Sequence, residues 1–211
     1  WAFDGELDDV RLDGAITGVD MTQLLEHDEV CAPAGAYLLY RVTQILDGRR
    51  VVLSIDEFRF YLKNPQFAAV VDNLLLTVRK SNGAVFLALQ MPEHILESPL
   101  GPSIVAQCQT KIMFPSPTAD RAVYIDGLKC TEGEYRAVRE DMVVGKRRFL
   151  LKREKASVIC EFDLGQMRDY VAILSGRANT VRFAEKLRQR LGDAPEQWLP
   201  EFLRSYHEAK D

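Results

Sequence analysis

Apolar residues along this chain follow two different periods, and the switch between them marks its elements. Residues 50–55 (RVVLSI) and 84–89 (AVFLAL) are apolar on both parities. That pattern predicts strands buried on both faces, as in a parallel sheet. Residues 110–114 (TKIMF) predict a third such strand, and residues 15–21 (AITGVDM) a fourth, earlier one. Between them the spacing becomes helical. Leu38, Leu39, Val42, Ile45 and Leu46 line one face of a helix over 34–46 that stops at Gly48. Asn64 is placed to cap the next helix, with Pro65 at its first position and a stripe of Phe67, Val70, Val71, Leu74, Leu75 and Val78. Asn82-Gly83 supplies the left-handed stop that ends it.

Short helices are expected over 92–97 and 101–108, and two more helical pieces after Pro115 and Pro117. One of these opens on a capping box of Thr131 and Glu134. Residues 147–152 (RRFLLK) and 157–162 (SVICEF) read as a hairpin or as adjacent edge strands. Three helical stretches over 169–174, 178–191 and 195–206 close the chain. Strands alternating with helices predict an α/β fold, a parallel sheet flanked by helices. No internal repeat or low-complexity linker interrupts it.

Composition leaves that picture in place and narrows the function classes. Of 211 residues, 47% are apolar and 27% charged, the mix of a globular protein rather than a disordered or fibrous one. The longest apolar runs fall far short of the roughly 20 residues that cross a bilayer. The start, Trp1-Ala2-Phe3-Asp4, has no signal-peptide character, and a first residue other than Met is expected of a fragment or a processed chain. Net charge is -4, with nine acids against Arg11 in residues 1–29, so no general affinity for nucleic acid is implied. The cysteines at 31, 108, 130 and 160 have neither CxxC spacing nor a nearby histidine pair, so reduced thiols are expected rather than a zinc site or a disulfide framework.

In an open parallel sheet, ligands bind at the carboxyl ends of the strands. Asp56-Glu57 follows one apolar run at once, and Gln90 follows the next. An acidic pair in that place is what a P-loop ATPase uses: the Asp organises Mg²⁺ and the Glu activates water, while a neighbouring Gln senses the γ-phosphate. Strands also end in acids that merely cap the next helix, and no G-x-x-x-x-G-K-[ST] phosphate cradle occurs in the chain. Arg79-Lys80 lies at the far end of the 64–78 helix, where it either complements the helix dipole or reaches a neighbouring subunit as an arginine finger. Lys146, Arg147, Arg148, Lys152, Arg153 and Lys155 make a basic hairpin, which either guards an exposed edge or meets an anion. His27, His94 and His207 have no partners at metal or triad spacing.

The ordered set Leu53-Ser54-Ile55-Asp56-Glu57-Phe58, Thr77-Val78-Arg79-Lys80-Ser81-Asn82 and Ala88-Leu89-Gln90-Met91-Pro92 resembles the large ATPase of type IV secretion and conjugal transfer systems. The likeness continues through Ser98-Pro99-Leu100-Gly101, Gln107-Cys108-Gln109-Thr110-Lys111-Ile112 and Phe114-Pro115-Ser116-Pro117-Thr118-Ala119-Asp120. Phe149-Leu150-Leu151-Lys152, Leu174-Ser175-Gly176-Arg177 and Gln197-Trp198-Leu199-Pro200 extend it, as do Phe3-Asp4 and Ile16-Thr17-Gly18-Val19-Asp20-Met21 at the start. One departure stands out: relatives commonly carry Asp-Glu-Ala-Trp where this chain has Asp56-Glu57-Phe58-Arg59.

The resemblance implies the distal part of a RecA-like P-loop ATPase core without its Walker A loop, over residues 1–165, with a carboxyl-terminal helical segment, 166–211, packed on the same domain. It implies an ATP-hydrolysing motor of the complete protein, with ATP and Mg²⁺ as cofactors and this stretch alone inactive. Asp56 would hold Mg²⁺ through water, Glu57 would activate water and Gln90 would contact nucleotide; Arg79, or alternatively Arg148, would act on the nucleotide of a neighbour. Its partners would be its own subunits in a ring, a hexamer by expectation, and other secretion components at the cytoplasmic face of the bacterial inner membrane, with no sequence-specific nucleic acid. A docking and oligomerisation module built on the last helices, and a DNA-pumping ATPase of the FtsK or HerA type, stay open as alternatives.

Overall fold

In a computed structural model, which describes residues 5, 8, 10–63 and 65–208, the chain divides into two compact units, Trp1–Cys160 and Glu161–Asp211. The first begins with a loop where a strand over 15–21 is expected. Ile16 is 94% exposed there, and the Asp20 carboxylate accepts from the N–H and the hydroxyl of Thr22, which opens the short helix α1 (Thr22–Leu25). Gly14, Gly18 and this local side-chain bonding favour a turn over a ladder, so apolar content alone misleads at this point.

Helix α2 (Asp28–Ile45) starts a turn and a half earlier than its apolar stripe, because Pro33 inside it removes one backbone bond without ending the helix. Strand β1 (Val51–Ile55) follows, then α3 (Arg59–Leu62), α4 (Pro65–Thr77) and β2 (Gly83–Leu87). The expected cap at Asn64 lies outside the described residues, as does Phe3-Asp4. After α4 the chain turns back: Asn82 adopts φ 61° and the Gly83 N–H donates to the Val78 carbonyl at 2.9 Å.

β1 and β2 pair in parallel, Val51 against Gly83 through Ile55 against Leu87. Leu53, Ile55, Val85 and Leu87 face a core of Phe58, Val71, Leu74 and Ile104. There Gly35 lets α2 approach α4 so closely that a Cβ would meet the Phe67 ring at 2.7 Å, while Phe67 stacks on Tyr61. The opposite face is open: Val52 is 71% and Phe86 54% exposed, so these strands are covered on one side rather than two.

Beyond α5 (Glu93–Leu96) and α6 (Gly101–Gln107), the TKIMF segment forms β3 (Thr110–Met113), which does not extend the parallel sheet. It pairs antiparallel with β4 (Arg148–Arg153), Lys111 opposite Lys152, and β4 pairs in turn with β5 (Ala156–Glu161). The reason is visible along β3, where Met113 is buried but Thr110 and Ile112 face solvent, the alternation of a one-sided antiparallel strand. Glu154, at φ 53°, makes the tight β4–β5 turn. Against this sheet pack a π-helical turn at Val123–Gly127, helix α7 (Glu132–Arg136) and a second π-helical turn at Ala137–Asp141, around Val138, Leu150, Tyr124 and Cys130. The Thr131–Glu134 capping box is formed in both directions.

The second unit holds α8 (Arg168–Leu174), α9 (Ala178–Leu191) and α10 (Pro195–Glu208), joined around Ala172, Leu187 and Phe202. Phe202 sits within 6.0 Å of Phe183 and 5.7 Å of Trp198, ring to ring. His207 and Asp169 meet at 2.7 Å across α10 and α8. No helix among the described residues is long and apolar enough to cross a membrane.

Candidate functional site

The parallel register does the positioning. Beyond the last paired residues the ladder runs on, with the Ala88 N–H donating to the Ile55 carbonyl at 2.9 Å and the Phe58 N–H to the Ala88 carbonyl at 3.1 Å. Those two bonds lock the residues following β1 beside those following β2. The Gln90 amide accordingly donates to Glu57 Oε1. Asp56, Glu57 and Gln90 thus sit together at one carboxyl edge.

Glu57 is held in an unusual conformation. Its φ is 47°, in the left-handed region that a residue with a side chain enters at a cost of about 1–2 kcal/mol. Asp56 Oδ1 accepts the Glu57 N–H at 2.9 Å and stabilises the turn, and fully buried Phe58 anchors it from below. The Asp56 side chain is exposed, whereas Glu57 Oε2 is shielded from solvent and has no hydrogen-bond partner. Arg59 Nε stands 3.5 Å from that oxygen. Arg59 joins this cluster although it is not among the site residues expected from the sequence; a cation two residues beyond the acid, where relatives commonly carry Trp, was the available signal.

Beside the pair lies a cleft of about 430 Å³ lined by Asp20, Thr22, Ser54, Asp56, Glu57 and Tyr61, among others. Burial pushes the Tyr61 hydroxyl up to about 12, so it stays protonated across the physiological range. Among the described residues no three His, Cys, Asp or Glu side chains gather as a metal cage. A nucleotide-borne Mg²⁺ draws most of its ligands from phosphate and water, and a single exposed carboxylate such as Asp56 suits that donor set.

Two candidates lie elsewhere. Arg79 is exposed in the turn between α4 and β2, at the opposite end of the parallel strands from Glu57. Five strand residues separate the two edges, roughly 17 Å at 3.3 Å per residue. Arg148 is exposed at the start of β4, in the antiparallel sheet. The basic hairpin is not uniformly exposed: Lys152 is buried at 6% and donates to both Glu134 oxygens, at 3.0 and 2.7 Å, so it is an internal ion-pair partner. Of the four cysteines, Cys31 and Cys130 are buried and Cys108 and Cys160 half-buried.

No family model matches the chain. Individual proteins do, over nearly its whole length. Protein virB4 of Agrobacterium fabrum is 69% identical over 211 residues, all of this chain and 27% of that protein. The type IV secretion system protein PtlC of Bordetella pertussis is 39% identical over 99% of this chain and 26% of its own length. The type IV secretion system protein virB4 of Bartonella henselae is 36% identical over 96% of this chain and 26% of its own. The chain therefore spans about a quarter of the length of these relatives. Among solved structures, VirB4 of Thermoanaerobacter pseudethanolicus superposes with a TM-score of 0.54 at 20% identity, over 65% of this chain and 38% of that one, a likeness of fold.

Proposed function

We propose, for a chain that belongs by homology with the VirB4 proteins of type IV secretion systems, that it carries the water-activating and phosphate-sensing part of an ATP-hydrolysing site. The observation behind this reading is the Gln90–Glu57 hydrogen bond at the shared carboxyl edge, with Asp56 exposed beside it. Bound Mg²⁺ would supply charge neutralisation for the phosphates. Asp56 would help to hold that ion. Glu57 accepts a proton from the attacking water, its backbone held at this edge by the turn. Gln90, bonded to Glu57 in this structure, exchanges that partner for the γ-phosphate or the water, and so couples the state of the nucleotide to the base. Arg79 is too far from its own Glu57 to take part within one subunit, so its catalytic role, like that of Arg148, requires a neighbour in a ring, for which a hexamer is the expected size. The motor would energise assembly or substrate passage at the cytoplasmic face of the inner membrane.

The test uses the full-length protein that contains this stretch. Glu57→Gln should bind ATP as the parent does and hydrolyse it roughly 100-fold more slowly or worse, whereas Asp56→Ala should also weaken Mg²⁺-dependent binding. Parent-rate hydrolysis by both variants would reduce the acidic pair to a helix cap.

A further inference from the structure

The two oxygens of Glu57 are not equivalent. Oε1 accepts from the Gln90 amide, a partner that can turn away. Oε2 faces inward, is removed from solvent and lies 3.5 Å from Arg59 Nε, itself removed from solvent and without a hydrogen-bond partner. This is an ion pair at the outer limit of hydrogen-bond distance, its two facing atoms out of contact with solvent on side chains that are 37% and 30% exposed. Arg59 cannot easily leave. Its guanidinium lies over the Phe60 ring at 4.6 Å, and the first turn of α3 holds its backbone, with the Phe60 N–H donating to the Glu57 carbonyl at 3.1 Å. The same short loop therefore carries the base, its cationic neighbour and the aromatic plate under that cation.

We infer that Arg59 is a positioning residue, holding Glu57 by Oε2 so that Oε1 is the oxygen that meets water. The inference rests on the ATP-hydrolysing reading of Glu57 and extends it. When Gln90 lets go, Oε1 is released while Oε2 stays tethered, so the carboxylate does not rotate as its partner leaves. The attacking water then loses a proton to Oε1 as its oxygen bonds to the γ-phosphorus and the bond to the departing diphosphate breaks. Glu57 must face the nucleotide at a fixed angle for this, and the turn at φ 47° alone leaves its side-chain torsions free. Arg59 removes that freedom.

The experiment measures kcat and KM for Mg-ATP in the full-length protein. Arg59→Gln keeps a polar side chain at this position and removes the charge; it should lower kcat roughly tenfold or more, the scale of a misaligned catalytic group, with KM within about twofold of the parent. Arg59→Lys, which restores a cation near Oε2, should regain most of the loss. In the Glu57→Gln background, Arg59→Gln should cost nothing further, because the tether then has no base to hold. Melting temperature and ATP affinity are measured for every variant, and Arg59→Met serves as a second uncharged replacement if the Gln form does not fold. Parent-level kcat in the uncharged variants overturns the inference, as does a loss that multiplies with that of Glu57→Gln or that Lys does not relieve. If Glu57→Gln itself hydrolyses at the parent rate, the ATP-hydrolysing reading fails and takes this inference with it, an outcome distinct from failure at Arg59 alone.

Discussion

Removing the ammonium of Lys152 should destabilise the first unit more than any exposed charge change. Lys152 on β4 and Glu134 on α7 are each 6% exposed, and Lys152 Nζ lies 2.7 and 3.0 Å from the two carboxylate oxygens. Glu134 Oε2 also accepts the Thr131 N–H at 2.8 Å, so one carboxylate closes the capping box and ties α7 to the sheet. Lys152→Met fills the stem's volume but strands the carboxylate in a dry site. Breaking a buried pair in this way costs about 3–5 kcal/mol. For a chain of this length each kcal/mol moves the melting temperature by roughly 2–4 °C, so a fall of about 6–20 °C is expected. The double variant Lys152→Met/Glu134→Gln removes both charges yet keeps a capping-box acceptor at position 134, and should recover most of that loss. Thermal melts of the 211-residue chain followed by circular dichroism read both. A fall below about 2 °C in the single variant, or no recovery in the double, would refute the claim that the pair is dry and coupled.

Other outcomes follow from the same geometry. Burial pushes the Glu134 carboxyl up, but the Lys152 and Thr131 bonds outweigh it and hold its pKa below the ordinary 4.5. Its stabilising effect is thus fully present above 4.5 and is lost as pH falls through the depressed value, so acid melts of the parent should steepen there while the double variant loses that component. The 211-residue chain, which contains no phosphate cradle, should show no micromolar ATP affinity by calorimetry; micromolar binding would mean that the nucleotide site has been misplaced. Arg79→Ala in the full-length protein should bind ATP but lose most hydrolysis, and mixing it with Glu57→Gln should restore part of the rate. Mixed assemblies, confirmed by mass, that stay inactive would return Arg79 to a helix-end charge.

What could be read from residues alone was what local rules decide. The α4 stripe, the Thr131–Glu134 capping box and the three closing helices depend on contacts a few residues apart, and each formed as its spacing predicts. The adjacency of Glu57 and Gln90 was also legible, since two strands followed by polar groups in a parallel sheet deliver those groups to one edge. Partner choice was not. The apolar content of β3 fits either sheet, and its antiparallel pairing with β4 comes from residues some forty positions away. Residues 15–21 carry strand-like composition but have Gly18 and Asp20 bonding that favour a turn. Lys152 looked like one cation in a basic run because burial beside Glu134 has no signature at the level of single charges.

The position of Arg79 bears on how such a site has to be built. A parallel strand carries its paired residues from one edge of a sheet to the other, and each helix returns the chain to the starting edge. Residues at strand ends, such as Glu57 and Gln90, therefore gather on one side, while residues at helix ends, such as Arg79, gather on the other. A guanidinium at the helix-end edge cannot reach its own strand-end edge, because the separation of roughly 17 Å is about twice the length of an extended arginine side chain. It can reach the strand-end edge of a second subunit if subunits stack edge to edge in a closed ring, a heterologous contact that repeats around the axis. In that arrangement Gln90, on the proposed reading, would act within a subunit and Arg79 between subunits. The proposed hydrolysis at one interface would then be conditional on the neighbour's placement. The same parallel connection that brings Glu57 to Gln90 is what keeps Arg79 away from both.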